Sequence, residues 1–236
     1  MVEGQPHRDR TLAESAATAL HQMILSGQIE HGAPLRLQEL AARLDMSVMP
    51  VREAIRRLSA LGLVEVIPHK GAWVRRLSVD DFLDTHETRL MLELPAVERA
   101  AKRFAAHDRE IAEDLLRQHV ELSRLGDSQG MRAAHREFHF ALVRPCGSVW
   151  LPRALEPVWQ NSERYRFASP PDEAEIQQVD GEHRTILEAC AEHRPEVAVS
   201  ALEAHLQRAF ERMLSRLKAR VDREAGENKP ADDKQG

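Results

Sequence analysis

Apolar positions recur at helical spacing along most of this chain, and the exception is one short stretch. Leu12, Ala16, Ala19, Met23 and Ile24 predict a helix, opened by the capping box Thr11-Leu12-Ala13-Glu14 and closed at Gly27. Gly32-Ala33-Pro34 reads as a turn. Leu37, Leu40, Ala41 and Leu44 mark a second helix of two turns, broken by Asp45-Met46-Ser47. Ser47 then caps a third helix whose core stripe is Val51, Ile55 and Leu58. Pro50 fits there because first-turn N–H groups lack a helical acceptor anyway. Gly62 closes that helix, Leu63 to Ile67 reads as a short strand, Pro68 to Gly71 as a turn, and Ala72 to Arg76 as a returning strand.

From Ser78 onward everything reads helical, in spans of about 79–105, 108–125, 128–144, 148–167, 173–192 and 195–223. Gly126-Asp127, Pro145-Cys146-Gly147, Ser169-Pro170-Pro171 and Arg194-Pro195 supply the breaks. The last span carries the stripe Val199, Leu202, Leu206, Ala209, Met213 and Leu217. Residues 1–10 are polar and expected to be loose, and the polar 224–236 tail is expected to be disordered. The boundary falls near residue 77, giving a domain of helices and a small hairpin over 1–77 and a helical domain over 78–223.

Composition agrees: aromatic residues are only 4%, against 42% apolar and 30% charged, which weakens any sandwich or barrel. No apolar run approaches the roughly 18 residues of a membrane span, and no N-terminal apolar stretch ends in a signal-peptide cleavage pattern. Cys146 and Cys190 are too few for a disulfide framework or a cysteine-rich zinc site, so a cytoplasmic setting is expected. Net charge is −5, which at first argues against a nucleic-acid partner. The balance is uneven, however. Residues 1–77 carry +2 and residues 78–236 carry −7, while residues 43–76 hold 7 basic and 3 acidic side chains. Screening limits the reach of distant charge to about 10 Å, so the basic segment can meet phosphate on its own terms.

Helix, short helix, tight turn, helix and hairpin make a winged helix-turn-helix. Burying Val51, Ile55 and Leu58 leaves the N-terminal turns of the third helix free for a major groove. Arg52 and Arg56 lie one turn apart on its exposed side, where each can reach guanine or phosphate. His69, Lys70 and Gly71 form the wing tip. The run Ser47-Val48-Met49-Pro50-Val51-Arg52-Glu53-Ala54, with Leu58, Leu61 to Val64 and Lys70 to Val74, resembles the GntR family of bacterial transcription regulators. Ser47, Pro50, Arg52, His69, Lys70 and Gly71 match that family's pattern. The resemblance implies that Arg52 contacts an operator, with Arg56 a weaker carry-over. Val48 and Met49 replace the family's usual Arg and Thr, so a contact at Val48 is lost and operator preference shifts.

In the helical domain, His135 and His139 share one helix face among Met131, Phe138 and Leu142. His183 falls with Ile176, Val179, Ile186 and Cys190, and His205 adjoins Leu202 and Leu206. Three helices thus aim imidazole at one interior. Neutral imidazole suits Zn, Ni, Cu and Fe; packing histidines are the competing reading. The other eight histidines show no such grouping. The pattern resembles the FCD domain of FadR-like GntR regulators, a bundle of six or seven helices. Its metal-binding members carry Asp-x-x-x-His, then Glu-His-Arg, then a His on the last helix. Here those are His135 to His139, Glu182-His183-Arg184 and Ala204-His205-Leu206. The resemblance implies a divalent transition metal, Zn or Ni, held by His139, His183 and His205, with His135 standing where Asp is usual. Arg89 and Glu93, four apart, make an ordinary helix pair by spacing; by resemblance Arg89 faces the cavity and holds a carboxylate.

An enzyme reading finds little support. Zincins need Glu beside the first His of His-Glu-x-x-His, whereas Glu137 follows His135 by two residues, about 200° around the helix. Gly-x-Ser-x-Gly and phosphate-loop patterns are absent. The expectation is therefore a mainly α protein acting as a DNA-binding repressor. It binds a palindromic double-stranded operator as a homodimer, controlled by a small organic acid near the metal.

Overall fold

The computed structural model describes residues 11–169 and 172–227; the segment 1–10 and residues 228–236 of the tail lie outside them. The chain divides into two compact units between Ser78 and Val79.

The first unit contains helices α1 (Leu12–Leu25), α2 (Leu37–Arg43) and α3 (Val48–Ala60), followed by strands β1 (Val64–Ile67) and β2 (Gly71–Val74). Thr11 and Glu14 form the capping box of α1, with Glu14 N–H donating to Thr11 Oγ1 at 3.2 Å and Thr11 N–H to Glu14 Oε2 at 3.1 Å. Gly27 and Gly62 end α1 and α3 with φ of 75° and 74°, where a side chain would be strained. Ser47 occupies the N-cap of α3, but its hydroxyl makes no capping bond. A capping oxygen accepts from the second or third N–H of a helix, and the third residue here is Pro50, which has none. The strands pair antiparallel, Val64 opposite Val74 and Ile67 opposite Gly71. The connecting turn has Pro68 second and His69 third, with Lys70 N–H donating to Ile67 O at 3.1 Å and His69 at φ 61°, a type II arrangement. The Gly32-Ala33-Pro34 segment, read from sequence as a turn, leads with Leu35 into pairing with the hairpin: Leu35 N–H donates to Ala72 O at 2.7 Å and Val74 N–H to Ala33 O at 2.9 Å. The unit closes over an aliphatic core of Leu20, Ile24, Val51, Ile55, Leu58 and Leu63.

The second unit is all helical: α4 (Val79–Ala101), α5 (Ala106–Arg124), α6 (Ser128–Val143), a 3-10 turn at Arg144–Cys146, α7 (Trp150–Ala168), α8 (Glu173–Ala191) and α9 (Pro195–Glu227). Helix α4 runs through the middle and packs on α6, α7, α8 and α9, while α5 lies against α6 and α8. Its core is Val97, Leu116, Phe138, Leu142, Ile186 and Leu202, with a second cluster around Trp159 and Phe140. Helix α9 continues to Glu227, past the expected end at 223. Among the described residues no helix is long and apolar enough to cross a membrane.

Candidate functional site

In the first unit an open groove runs between α3 and the hairpin, lined by Arg36, Arg52, Arg56, Lys70, Gly71 and Trp73 among others. Arg52 is exposed and forms no ion pair among the described residues. Arg56, equally exposed, is tied back along its own helix: Nε and Nη2 donate to the two Glu53 oxygens at 3.0 and 2.8 Å. Lys70, Gly71 and His69 are exposed at the turn, and Ser47 is exposed at the start of α3. Arg36, which sequence reading passed over, joins the groove from the N-terminus of α2, pairing with Glu39 at 3.0 Å. Its position directly before a helix was the available signal.

The second unit inverts this pattern. His135, His139, His183 and His205 are at most 3% exposed, and one nitrogen from each lies within 4.8 Å of the others. The amphipathic spacing of α6, α8 and α9 turns these positions inward, so the rings meet where three helices face one another. His139 Nε2 and His183 Nε2 are 3.3 Å apart. His205 Nδ1–H donates to Glu182 Oε2 at 2.7 Å, which fixes its tautomer and leaves a lone pair on the buried, unpartnered Nε2. Burial disfavours the charged form of all four rings and pushes their pKa values down; at His205 the Glu182 carboxylate opposes this. Burial alone would raise the Glu182 carboxyl, but bonds from His205, Arg208 and Gln178 hold it at about 2. The rings are therefore neutral and ligand-ready, and this donor set fits a borderline-soft divalent ion. His135 differs from the other three. Arg166 Nη1–H lies 3.2 Å from its Nε2, and because a guanidinium only donates, that nitrogen is the acceptor.

A fifth imidazole belongs to this nest. His119 on α5 is buried, with its ring 5.5 Å from His135 and 6.0 Å from His183. This corrects the expectation that the remaining eight histidines show no grouping. The signal was present: Ala112, Leu116 and His119 form an i, i+4, i+7 stripe.

Arg89 is buried and donates Nε–H to Glu93 Oε1 at 2.7 Å, with its guanidinium 4.6 Å from the Trp159 ring centre. Glu93 Oε2 approaches His139 Nδ1 at 3.8 Å, so the pair backs onto the nest. A cavity of about 230 Å³ adjoins the nest from another side. It is lined by His119, His135, Arg132, Arg166, Arg212 and Arg216 together with apolar side chains; Arg89 is not in its wall. The four cavity arginines were missed from sequence, although Arg212 and Arg216 lie four apart beside Met213 on the inward stripe of α9.

A hairpin-winged helix-turn-helix and a helical bundle with a polar nest and cavity define the class: a DNA-binding transcriptional regulator with a ligand-binding domain. Comparison with known proteins gives the family. The profile of the bacterial regulatory proteins of the gntR family matches residues 12–74, and that of the FCD domain matches residues 84–208. The "Probable D-xylose utilization operon transcriptional repressor" of Paenarthrobacter nicotinovorans is 32% identical over 196 residues, covering 83% of this chain and 86% of that protein. The Nta operon transcriptional regulator of Aminobacter aminovorans is 31% identical over 199 residues, covering 84% and 93%. The solved structure of Escherichia coli McbR/YncC shares the fold with a TM-score of 0.76 at 22% identity, over 87% of this chain and 98% of that one. The chain belongs to the gntR family of bacterial regulatory proteins and carries an FCD domain.

Proposed function

We propose that this protein is a metabolite-responsive repressor of the FadR-like branch of its family, binding a palindromic operator as a homodimer. Arg52 reads the major groove from α3, with Ser47, Pro50 and Arg56 beside it, and His69, Lys70 and Gly71 reach from the wing. A dimer follows from operator geometry, since one small reader rarely supplies enough specificity. The names of two relatives, each tied to an operon, support a role in operon control.

His139, His183 and His205 hold a divalent transition ion, Zn or Ni, in this reading. The ion, when bound, supplies a fixed positive charge for an acid oxygen at the cavity. His135 joins as a ligand only when its ring is released from Arg166. A small carboxylate effector occupies the adjoining cavity, where Arg166 and His119 supply N–H groups beside His135. Arg89 lies behind this constellation, holding Glu93 against His139. Effector binding repacks the bundle and lowers operator affinity; a coupling of about 1–3 kcal/mol suffices for useful control.

The observation that carries the metal reading is the convergence of buried imidazoles, with one ring nitrogen each from His135, His139, His183 and His205 within 4.8 Å of the others. Metal content tests it, measured on protein purified without chelator beside His139→Ala. The expected result is one ion per chain, lost in the variant. No ion in either protein after Zn or Ni supplementation would reduce the nest to packing histidines.

A further inference from the structure

The cavity beside the nest carries more positive charge than one carboxylate can answer. Four guanidinium groups line it: Arg132 from α6, Arg166 from α7, and Arg212 and Arg216 from α9. Glu175 is the one carboxylate in the lining among the described residues. It is shared three ways. Arg216 Nη2 lies 2.9 Å from both of its oxygens, Arg212 Nε lies 3.9 Å away, and its Oε2 also accepts from Asp172 N–H at 3.1 Å. Behind the wall Glu163 sits 3.1 Å from Arg166 Nε, and burial raises the pKa of that carboxyl, which weakens its hold on a negative charge. Arg132 has no ion pair among the described residues; its guanidinium rests 3.5 Å from the Phe167 ring centre. Among the described residues Glu163 and Glu175 are the carboxylates in ion-pair contact with these cations, and Asp127 acts on Arg132 only through space.

The cations also fall in two places. Arg166 is anchored at His135, against the histidine nest. Arg216 is anchored at the first turn of α8 through Glu175 and reaches Ser169 O at 3.5 Å. Much of the remaining wall is apolar, with Met131, Ile176, Val179 and Met213. Given that this cavity is the effector site, as proposed above, we propose that the effector is a short dicarboxylate. One carboxylate meets Arg166 beside the nest, and the other meets Arg212 and Arg216 near the start of α8. The apolar wall takes the carbon chain. A monocarboxylate would leave an uncompensated guanidinium in a partly desolvated cavity, which is costly.

Calorimetric titration of the full chain with succinate, glutarate, butyrate and glycerol 3-phosphate tests this. Succinate or glutarate is expected to bind roughly 10- to 100-fold more tightly than butyrate, the gain of one further charge-assisted contact. Arg212→Gln removes only the 3.9 Å approach to Glu175, so it should leave the fold intact; it should weaken the dicarboxylate about tenfold and butyrate little. Butyrate binding as well as the dicarboxylates would overturn the two-anion assignment while leaving a carboxylate effector standing. Preference for glycerol 3-phosphate would overturn it in favour of one concentrated dianion. No binding of any of the three acids would overturn both this assignment and the carboxylate effector itself.

Discussion

The two units use the same side-chain types in opposite ways. Around α3 and the wing, arginine, lysine and histidine stand in solvent over an aliphatic core, and no polar side chain of that unit is buried among the described residues. In the helical unit Arg89, Glu93, His119, His135 and their neighbours are buried, and much of their hydrogen bonding is to one another. The difference follows from the partner. A DNA backbone presents many phosphates over a wide surface, so exposed cations that release counterions serve best. A small anion offers few contacts, so each must be desolvated and held in place before it arrives. The reader can therefore tolerate the loss of single contacts, whereas the sensor's charges are coupled to its stability.

The sharpest way to break this contrast is to unpair the Arg89–Glu93 ion pair, both members of which are almost fully buried. Arg89→Met leaves the Glu93 carboxylate in the core facing His139. The expected cost is about 3–5 kcal/mol in urea unfolding of the helical unit, with much of it recovered in Arg89→Met/Glu93→Leu. A loss below about 1 kcal/mol would mean that Glu93 escapes by taking up a proton or by reaching water.

A slightly smaller effect comes from pH. Burial, followed by the charge of Arg166, pushes His119 down to about 4 from its usual 6.5. Its folded pKa is depressed, so the unfolded chain takes up the proton first. The stability is fully present above pH 6.5 and is lost as pH falls toward 4, by about 3 kcal/mol for this ring alone. His135, His139, His183 and His205 shift in the same direction and add to the slope. Chelator-treated protein should therefore lose stability steeply between pH 6.5 and 4.5, and His119→Phe should flatten part of that slope. An identical slope in the variant would place the titration elsewhere in the nest.

The fold was legible because its determinants are local. Period-3.6 stripes, Gly27, Gly62 and the Thr11–Glu14 box each dictate a boundary from a few neighbouring residues. Four of the clustered histidines were legible for the same reason, since each lies on the apolar face of its own helix. Other features depend on elements distant in sequence. His119 joins the nest because α5 packs against both α6 and α8. Arg132, Arg166, Arg212 and Arg216 look like ordinary surface charges until α6, α7 and α9 enclose one cavity. The Ser47 cap failed for a local reason that could have been read in advance, since Pro50 deletes the N–H it would have bonded. The pairing of Ala33 and Leu35 with the hairpin follows from tertiary packing alone.

The smallest expected effects separate two arginines that the sequence presents as equals. Arg52 and Arg56 are one turn apart on α3, and both line the groove. Arg56 already gives two hydrogen bonds to Glu53, whose carboxyl is held below the usual range chiefly by that contact. DNA would have to compete with an existing partner, and the approach of phosphate to Glu53 adds repulsion. Among the described residues Arg52 has no such partner, so its charge-assisted bonding is available to a base or a phosphate. Arg52→Ala should weaken operator binding by about 1–3 kcal/mol. Arg56→Ala should change it less than about threefold, because what it loses at the DNA is offset by an interaction it no longer has to give up. Salt dependence sharpens the test. If Arg52 touches phosphate, the slope of log affinity against log salt falls by about one in its variant; if it reads a base, sequence discrimination relaxes at one position instead. Equal losses at the two positions would show that the Glu53 pair dissolves on binding, and the groove would then hold two reading arginines rather than one.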